Sequence, residues 1–400
     1  MDKCRENFGT RIYVPDVENM DFPDIKQVAI VGSGDMGHGI AEVCAIAGFE
    51  VCLVDVKQDF LEKAMLRIHE SLQTLARKKK VPKDQIDSIL GRIQTFIDIS
   101  EASQSAQLAI EAVPEVLDLK KTVFTNLDAI LPPESIIATN TSNMSISELA
   151  NVTSRAAHVA GLHFFNPVVL MKSVELIRGQ QTSDETTNLL ADFAQALGKI
   201  PLIVKKDSAG FAVNRVLIAA QVLAVRAVEA GIIAPVEVEA SARKMGLPMG
   251  PFETMDYVGL DVVVHGFDYF AENFGADYAA PPWMKHLFEN GELGKKTGAG
   301  VLDWSTGRPA IDLTSATDKV TLLDLIAVQI NEATKLLEEG IVDNLEDVDF
   351  AIKNGTGNPA GFLNILKSLG KDKICGICER FADELSLEIF RPTKTLREWN

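Results

Sequence analysis

The sequence predicts an α/β domain built on a doubly wound parallel sheet, followed by an all-α C-terminal part present in two tandem copies. Three observations carry that fold class. Residues 25–55 pass from an apolar strand through a glycine-rich turn into a helix, and strands and helices then alternate as far as Val204. Beyond Lys206 the strand pattern stops, and one helical segment occurs twice. Alternation of this kind builds a parallel sheet with helices on both faces.

The first strand is the apolar run Val28 to Val31, which meets Gly32-Ser33-Gly34-Asp35-Met36-Gly37 before the apolar spacing becomes helical. Gly32 permits a tight turn, Gly34 lets a pyrophosphate approach the backbone, and Gly37 lets helix and strand pack closely. The helix N-terminus, with its free N–H groups, then faces the phosphates, and Asp35 and Met36 lie within the same turn. A second strand, Glu50 to Val54, ends on Asp55. That carboxylate stands about 20 residues beyond the glycines, where it can accept hydrogen bonds from a ribose diol and would repel a 2′-phosphate. The expected cofactor is therefore NAD rather than NADP. Glycines also collect at ordinary turns, but here strand, helix and acidic strand end agree.

Composition narrows the function further. The chain has 400 residues, 46% of them hydrophobic, enough for a large core and two or three domains. No apolar run reaches the roughly 20 residues that span a bilayer, and residues 1–24 read as a polar, mixed-charge leader, so a soluble cytoplasmic protein with no membrane partner is expected. A net charge of −17 argues against nucleic acid. Five scattered cysteines make no disulfide framework, and Cys375 and Cys378, a CxxC without a second pair, read as ordinary thiols; no metal site is expected.

Asp59 to Lys80 reads as an amphipathic helix with Phe60, Ala64, Leu66, Ile68, Leu72 and Leu75 on its apolar side, ending in the basic run Arg77 to Lys80. Such a run is a solvated helix end or, in so acidic a chain, local charge for an anionic ligand. Strand Leu108 to Val113, a helix from Leu117 to Ile130 and strand Ser135 to Thr139 follow, leaving Glu115, Asn140 and Ser142 at carboxyl ends of strands, where doubly wound sheets bind ligands. Ser145 and Glu148 suggest a capping box. The run HVAGLHFFNP, residues 158–167, carries His163, and strand Ser173 to Ile177 carries Glu175 in an apolar context. A carboxylate there needs a partner, and His163 could supply one and keep its second nitrogen as a base. Spacing alone leaves a satisfied core histidine open as the alternative.

A helix from Ser183 to Leu197 and a strand Pro201 to Val204 complete the first domain, and a long apolar helix runs from Ala212 to Ala230. Asn214 near its start is either satisfied locally or functional. Ala227 to Ile233 with Glu237 corresponds to Leu336 to Val342 with Glu346, Gly246 to Gly355, and Phe252 to Phe362. On that alignment Asn214 falls on Leu323, so the second copy looks structural. The expected organisation is a leader over residues 1–24, a Rossmann-type NAD-binding domain over 25–207, and helical domains over 208–308 and 309–400.

The stretches VGSGDMG, EAVPE, ATNTS, GLHFFNP, VELI, SAGFAVNR, GLPMGPFETMDYVGLD and GKKTGAG, in that order, resemble the L-3-hydroxyacyl-CoA dehydrogenase family from about Ile25 to the C-terminus. The resemblance implies reversible NAD-dependent oxidation of (S)-3-hydroxyacyl-CoA, short-chain such as 3-hydroxybutyryl-CoA, in fatty-acid β-oxidation or a related CoA pathway. It makes His163 the general base, Glu175 its orienting partner, and Ser142 and Asn214 the hydrogen-bonding groups for the substrate oxygen. It adds Asp55, Glu115, Lys120 and Asn140 to the glycine turn as NAD-binding residues, and Ser71 and Lys78 as contacts for the CoA part of the substrate. It also implies either a homodimer or a monomer in which the second helical copy takes a partner's place. His38 after the glycine turn, and Val301 to Trp304, depart from the family pattern. The alternatives are a same-fold dehydrogenase of a non-CoA hydroxy compound, such as carnitine or a sugar acid, and a crystallin-like protein that binds NAD without turnover.

Overall fold

The computed structural model describes residues 25–356 and 361–399; the expected leader lies outside the described residues. The chain divides into two compact units, one running through Phe211 and taking in the described residues from Phe350 to Thr356, the other comprising Ala212–Asp349 and the described residues from Gly361.

The first unit is built on eight strands: β1 (Gln27–Val31), β2 (Glu50–Val54), β3 (Ile93–Phe96), β4 (Leu108–Glu111), β5 (Ile136–Thr139), β6 (Val159–Phe164), β7 (Ser173–Arg178) and β8 (Ile200–Val204). Their order in the sheet is β3-β2-β1-β4-β5-β6-β7-β8, so the strand order reverses between β1 and β4, where a doubly wound sheet opens its ligand crevice. Strands β4, β5 and β6 are buried along their whole length, which is why they read as continuous apolar runs. The helices are α1 (Gly37–Ile46), α2 (Gln58–Arg77), α3 (Ile86–Gly91), α4 (Ile99–Ser103), α5 (Leu117–Ile130), α6 (Ile146–Ala150) and α7 (Asp184–Ala196).

The sequence led us to expect a parallel sheet throughout, but β7 pairs antiparallel with β6, and β8 runs parallel to β7. Only residues 165–172 connect β6 to β7, with no helix among them. A parallel crossover needs about a dozen residues or more, so the chain turns back on itself.

Helix α2 also departs from expectation. Its buried residues are Leu61, Ala64, Ile68, Leu72 and Leu75, whereas Phe60 and Leu66 stand 42% and 57% exposed. The helix stops at Arg77 because Lys79 adopts a left-handed φ of 56°. Lys79 and Lys80 donate back to the carbonyls of Ala76 and Leu75, both at 2.9 Å, the bonding pattern of a Schellman stop. The capping box at α6 is half formed: Ser145 accepts from the Glu148 N–H, while the Glu148 carboxylate pairs with Lys121.

The second unit is helical. Helices α8 (Val213–Glu229), α9 (Pro235–Lys244), α10 (Pro251–Val258), α11 (Leu260–Phe274) and α12 (Pro282–Glu289) are followed by α13 (Leu322–Glu338), α14 (Leu345–Gly355), α15 (Phe362–Leu369), α16 (Lys371–Leu385) and α17 (Lys394–Arg397). The end of α14, from Phe350, counts with the first unit. Helices α8 and α13 pack together around a buried ion cluster. Arg215, 2% exposed, donates from Nε to Glu332 at 2.9 Å and from its two terminal nitrogens to Glu339 at 2.5 and 2.6 Å.

Candidate active site

The turn after β1 is shaped by glycines that nothing else could replace. Gly32 sits at φ 103°, and a Cβ there would meet the Ala112 carbonyl oxygen at 2.5 Å. A Cβ on Gly37 would fall 1.8 Å from the Gly32 carbonyl oxygen. Gly34 differs, because the space its Cβ would take is open to 4 Å, leaving bare backbone for a ligand. His38, which departs from the family pattern, turns its Nδ1 back onto the Gly34 carbonyl at 2.7 Å and leaves that space free. At the end of β2, Asp55 accepts from Ser33 N–H and Oγ–H at 2.8 and 2.6 Å and from Val56 N–H at 2.7 Å. The carboxylate thus fixes the turn and keeps acceptor capacity on its second oxygen. Asp35 forms an exposed ion pair with Arg67 at 2.7 Å, and Met36 leads into α1.

The antiparallel pairing of β6 and β7 sets His163 directly opposite Glu175. His163 Nδ1 lies 2.7 Å from Glu175 Oε2, and Nε2 lies 3.3 Å from Ser142 Oγ. Glu175 is fully buried and His163 is 6% exposed. A carboxylate can only accept, so it holds the imidazole proton on Nδ1 and leaves the Nε2 lone pair towards Ser142. The ring is flanked by Phe165 at 4.9 Å and by Phe211 at 5.9 Å, centroid to centroid. This arrangement can take a proton from a hydroxyl placed at Nε2 and stabilise the imidazolium that results.

Beneath the carboxyl ends of β4 and β5 lies a second polar cluster. Lys120 is 1% exposed and donates to Glu111 at 2.7 Å, to Glu115 at 2.9 Å and to the Val113 carbonyl at 3.2 Å. It is an internal tether with its three donors used, rather than a group presented at the surface. Glu115 in turn accepts from Thr141 Oγ and from the Ser142 N–H at 2.8 Å, which fixes the turn carrying Ser142. Burial raises the Glu115 pKa, but Lys120 and the hydrogen bonds from Thr141 and Ser142 outweigh it and hold the carboxyl below its ordinary range. Asn140 accepts from the Phe164 N–H at 2.9 Å, joining this turn to the residue after His163.

Sequence reasoning passed over Glu111, which is fully buried and also accepts from Thr139 Oγ and Val113 N–H, each at 2.7 Å. The argument that picked out Glu175, a carboxylate inside an apolar strand, applies to it unchanged.

Ser71 lies partly buried on α2 and hydrogen-bonds Glu42 of α1; Lys78, just past the end of α2, is exposed. Glu42 is 1% exposed, and burial pushes its carboxyl up to about 7 against the Ser71 hydrogen bond and the charge of Lys199. Burial pushes Lys199 down to about 8, against Cys44 and Glu42. Asn214 belongs to the other unit, as the second residue of α8. Among the described residues no group of histidine, cysteine or carboxylate side chains could hold a metal ion, and no helix is long and apolar enough to cross a membrane.

Residues 27–208 match the model of the 3-hydroxyacyl-CoA dehydrogenase NAD-binding domain, and 210–304 and 324–399 match that of the 3-hydroxyacyl-CoA dehydrogenase C-terminal domain. The chain belongs to the 3-hydroxyacyl-CoA dehydrogenase family. It is 40% identical over 285 residues to the mitochondrial hydroxyacyl-coenzyme A dehydrogenase of Sus scrofa, covering 69% of this chain and 90% of that one. It is 38% identical over 274 residues to a probable 3-hydroxybutyryl-CoA dehydrogenase of Deinococcus radiodurans, covering 68% and 97%. Among solved structures, 3-hydroxybutyryl-CoA dehydrogenase from Escherichia coli superposes with a TM-score of 0.84 at 28% identity, over 94% of this chain and 98% of that one. The (S)-3-hydroxybutyryl-CoA dehydrogenase of Ralstonia eutropha gives 0.67 at 37% identity over 70% and 99%. NAD is the cofactor of this family's α/β domain. The open face at Gly34 and the free acceptor capacity of Asp55 fit it.

Proposed function

We propose that the chain interconverts (S)-3-hydroxyacyl-CoA and 3-oxoacyl-CoA thioesters, with 3-hydroxybutyryl-CoA and acetoacetyl-CoA as its short-chain substrates. The observation that carries the reading is the imidazole of His163 held between Glu175 and Ser142. Bound NAD would supply the hydride acceptor for the substrate carbinol carbon. His163 Nε2 takes the hydroxyl proton, Glu175 stabilises the imidazolium, and Ser142 hydrogen-bonds the substrate oxygen. Asn214 is assigned to the same oxygen, and Ser71 and Lys78 to the CoA moiety. Gly32, Gly34, Asp35, Met36 and Gly37 form the pyrophosphate turn, Asp55 receives the ribose diol, and Glu115 and Asn140 shape the nicotinamide end. Lys120 acts here through Glu115, since its nitrogen is enclosed.

The same reading divides the chain into an NAD-binding domain over 25–207 and two helical domains, 208–308 and 309–400, related by duplication. Matching element lengths support it: α8 and α13 have 17 residues each, α10 and α15 have 8 each, and α11 and α16 have 15 each. The glycines before α11 and α16 both have positive φ, 110° and 78°. The second copy would then stand in for a partner subunit in a monomer.

The test is NADH consumption with acetoacetyl-CoA, comparing wild type with His163→Ala and NADH with NADPH. Loss of a base of this kind costs about 10²–10⁴-fold in turnover. Activity linked to NADH that collapses in the variant is the expected result. Wild-type inactivity with every acyl-CoA, or a variant within tenfold of wild type, would overturn the assignment.

A further inference from the structure

The connection between β6 and β7 joins the strand that ends beside His163 to the strand that carries Glu175, so whatever fixes residues 165–172 fixes the pair. Two sets among its contacts bear on that geometry. From one side the Lys199 ammonium donates to the carbonyls of Val168 and Met171, at 2.5 and 2.6 Å. The other set comes from the end of α14, about 180 residues later in the chain, which counts with the α/β unit. The Asn354 carbonyl accepts from the Lys172 N–H at 3.0 Å, immediately before β7. Gly355 lies flat against the Phe165 ring: a Cβ on it would stand 2.8, 2.9 and 3.0 Å from three ring carbons. Phe165 packs on the imidazole of His163, with ring centroids 4.9 Å apart.

We infer that Gly355, together with the adjoining Asn354 carbonyl, is a positioning residue for the reaction: it sets Phe165, and through Phe165 the imidazole of His163. The inference rests on the role proposed above for His163. It gives the later helical segment, whose α13 has leucine at position 323 where α8 has Asn214, a part in the chemistry that touches no substrate. Any side chain at position 355 must push the ring away by roughly 0.5–1 Å to restore ordinary contact, and errors of about 1 Å at a reacting group cost up to about 10²-fold.

Gly355→Ala and Gly355→Val, made in the full chain, test this in two independent readouts. In turnover with acetoacetyl-CoA and NADH, kcat falls roughly 3- to 10-fold for Gly355→Ala and 10- to 100-fold for Gly355→Val, with KM for both substrates within about twofold of wild type. Adding Phe165→Leu to Gly355→Val removes the obstructing ring edge and recovers part of the loss. Independently of turnover, the His163 ring-proton resonance, assigned by its disappearance in His163→Gln, moves in the glycine variants because the ring current of Phe165 is displaced. Variants with wild-type kcat and an unmoved His163 resonance overturn the inference. If wild type fails to turn over any acyl-CoA, the functional reading falls, while the resonance still decides whether Gly355 positions His163. Should Gly355→Val fail to fold, the resonance and kcat of Gly355→Ala decide alone.

Discussion

Replacing Lys120 by methionine removes the one ammonium that reaches both Glu111 and Glu115, and the structure says what each carboxylate then keeps. Glu111, fully buried, retains the N–H of Val113 and the hydroxyl of Thr139 but loses its cation at 2.7 Å. Glu115, about 40% exposed, retains Thr141 and the Ser142 N–H and can turn to water. The cost therefore falls on Glu111, and breaking a buried pair from one side costs about 3–5 kcal/mol. That is a large fraction of the roughly 5–15 kcal/mol that keeps a domain folded. With a urea dependence of roughly 2 kcal/mol per molar, the unfolding midpoint of the α/β unit should fall by about 1.5–2.5 M. Lys120→Met with Glu111→Gln removes the orphaned charge along with its partner, and should recover about 2–3 kcal/mol of the loss. Urea unfolding followed by circular dichroism on wild type, both single variants and the double variant completes the cycle. A single Lys120→Met variant within about 1 kcal/mol of wild type, or a double variant no more stable than it, would refute the claim that a buried ion pair fixes this turn.

Two further outcomes follow from the same chemistry. Burial pushes the Glu42 carboxyl up to about 7 from the ordinary 4.5, so wild-type stability from this group declines as pH rises from 4.5 to 7. Lys199, lowered from 10.5 to about 8, acts oppositely, its contribution rising only above pH 8. Glu42→Gln should gain on wild type between pH 5 and 8 by up to about 3 kcal/mol, read as the difference in urea midpoints; a difference independent of pH would count against a strained buried carboxyl. In the helical unit, Arg215→Met takes the guanidinium from Glu332, 2% exposed, which keeps Lys335 at 2.9 Å, and should cost about 2–3 kcal/mol, below the full cost of breaking a buried pair from one side. Glu339→Gln, at a carboxylate 46% exposed, should cost under about 1 kcal/mol, and equal losses in the two variants would show that the cluster does not divide this way.

The parts legible in the sequence are those whose physical demand is local. Only glycine tolerates the φ of Gly32 or the contact at Gly37, so strand, turn and α1 could be read from residue types alone. The direction of β7 required the length of the connection, not the residues in it: eight positions without a helix cannot cross over. On α2 the expected stripe took in Phe60 and Leu66 and missed Leu61, because six apolar residues fit a 3.6-residue period in more than one phase. Lys120 entered only through the family resemblance, as an NAD-binding residue; its burial against Glu111 has no signal in its own helix. Neither the Glu42, Ser71 and Lys199 cluster nor the end of α14 leaves a local signature, since each joins elements far apart in the chain.

Among the described residues the α/β unit buries three carboxylates, and what each can do follows from the base it faces. Glu111 meets a lysine at 2.7 Å that also bonds a backbone carbonyl, an enclosed arrangement that acts as a fixed strut. Glu42 faces Lys199 without an ion-pair contact, that ammonium being taken by the carbonyls of Val168 and Met171, and burial pushes its carboxyl up to about 7. Glu175 meets an imidazole, the one partner of the three that has a second nitrogen, and that nitrogen stays at the face with Ser142. Three carboxylates of similar burial thus differ in kind rather than degree. It is the antiparallel turn of β7, which gives Glu175 a histidine to face, that separates a strut from the pair proposed above for proton transfer.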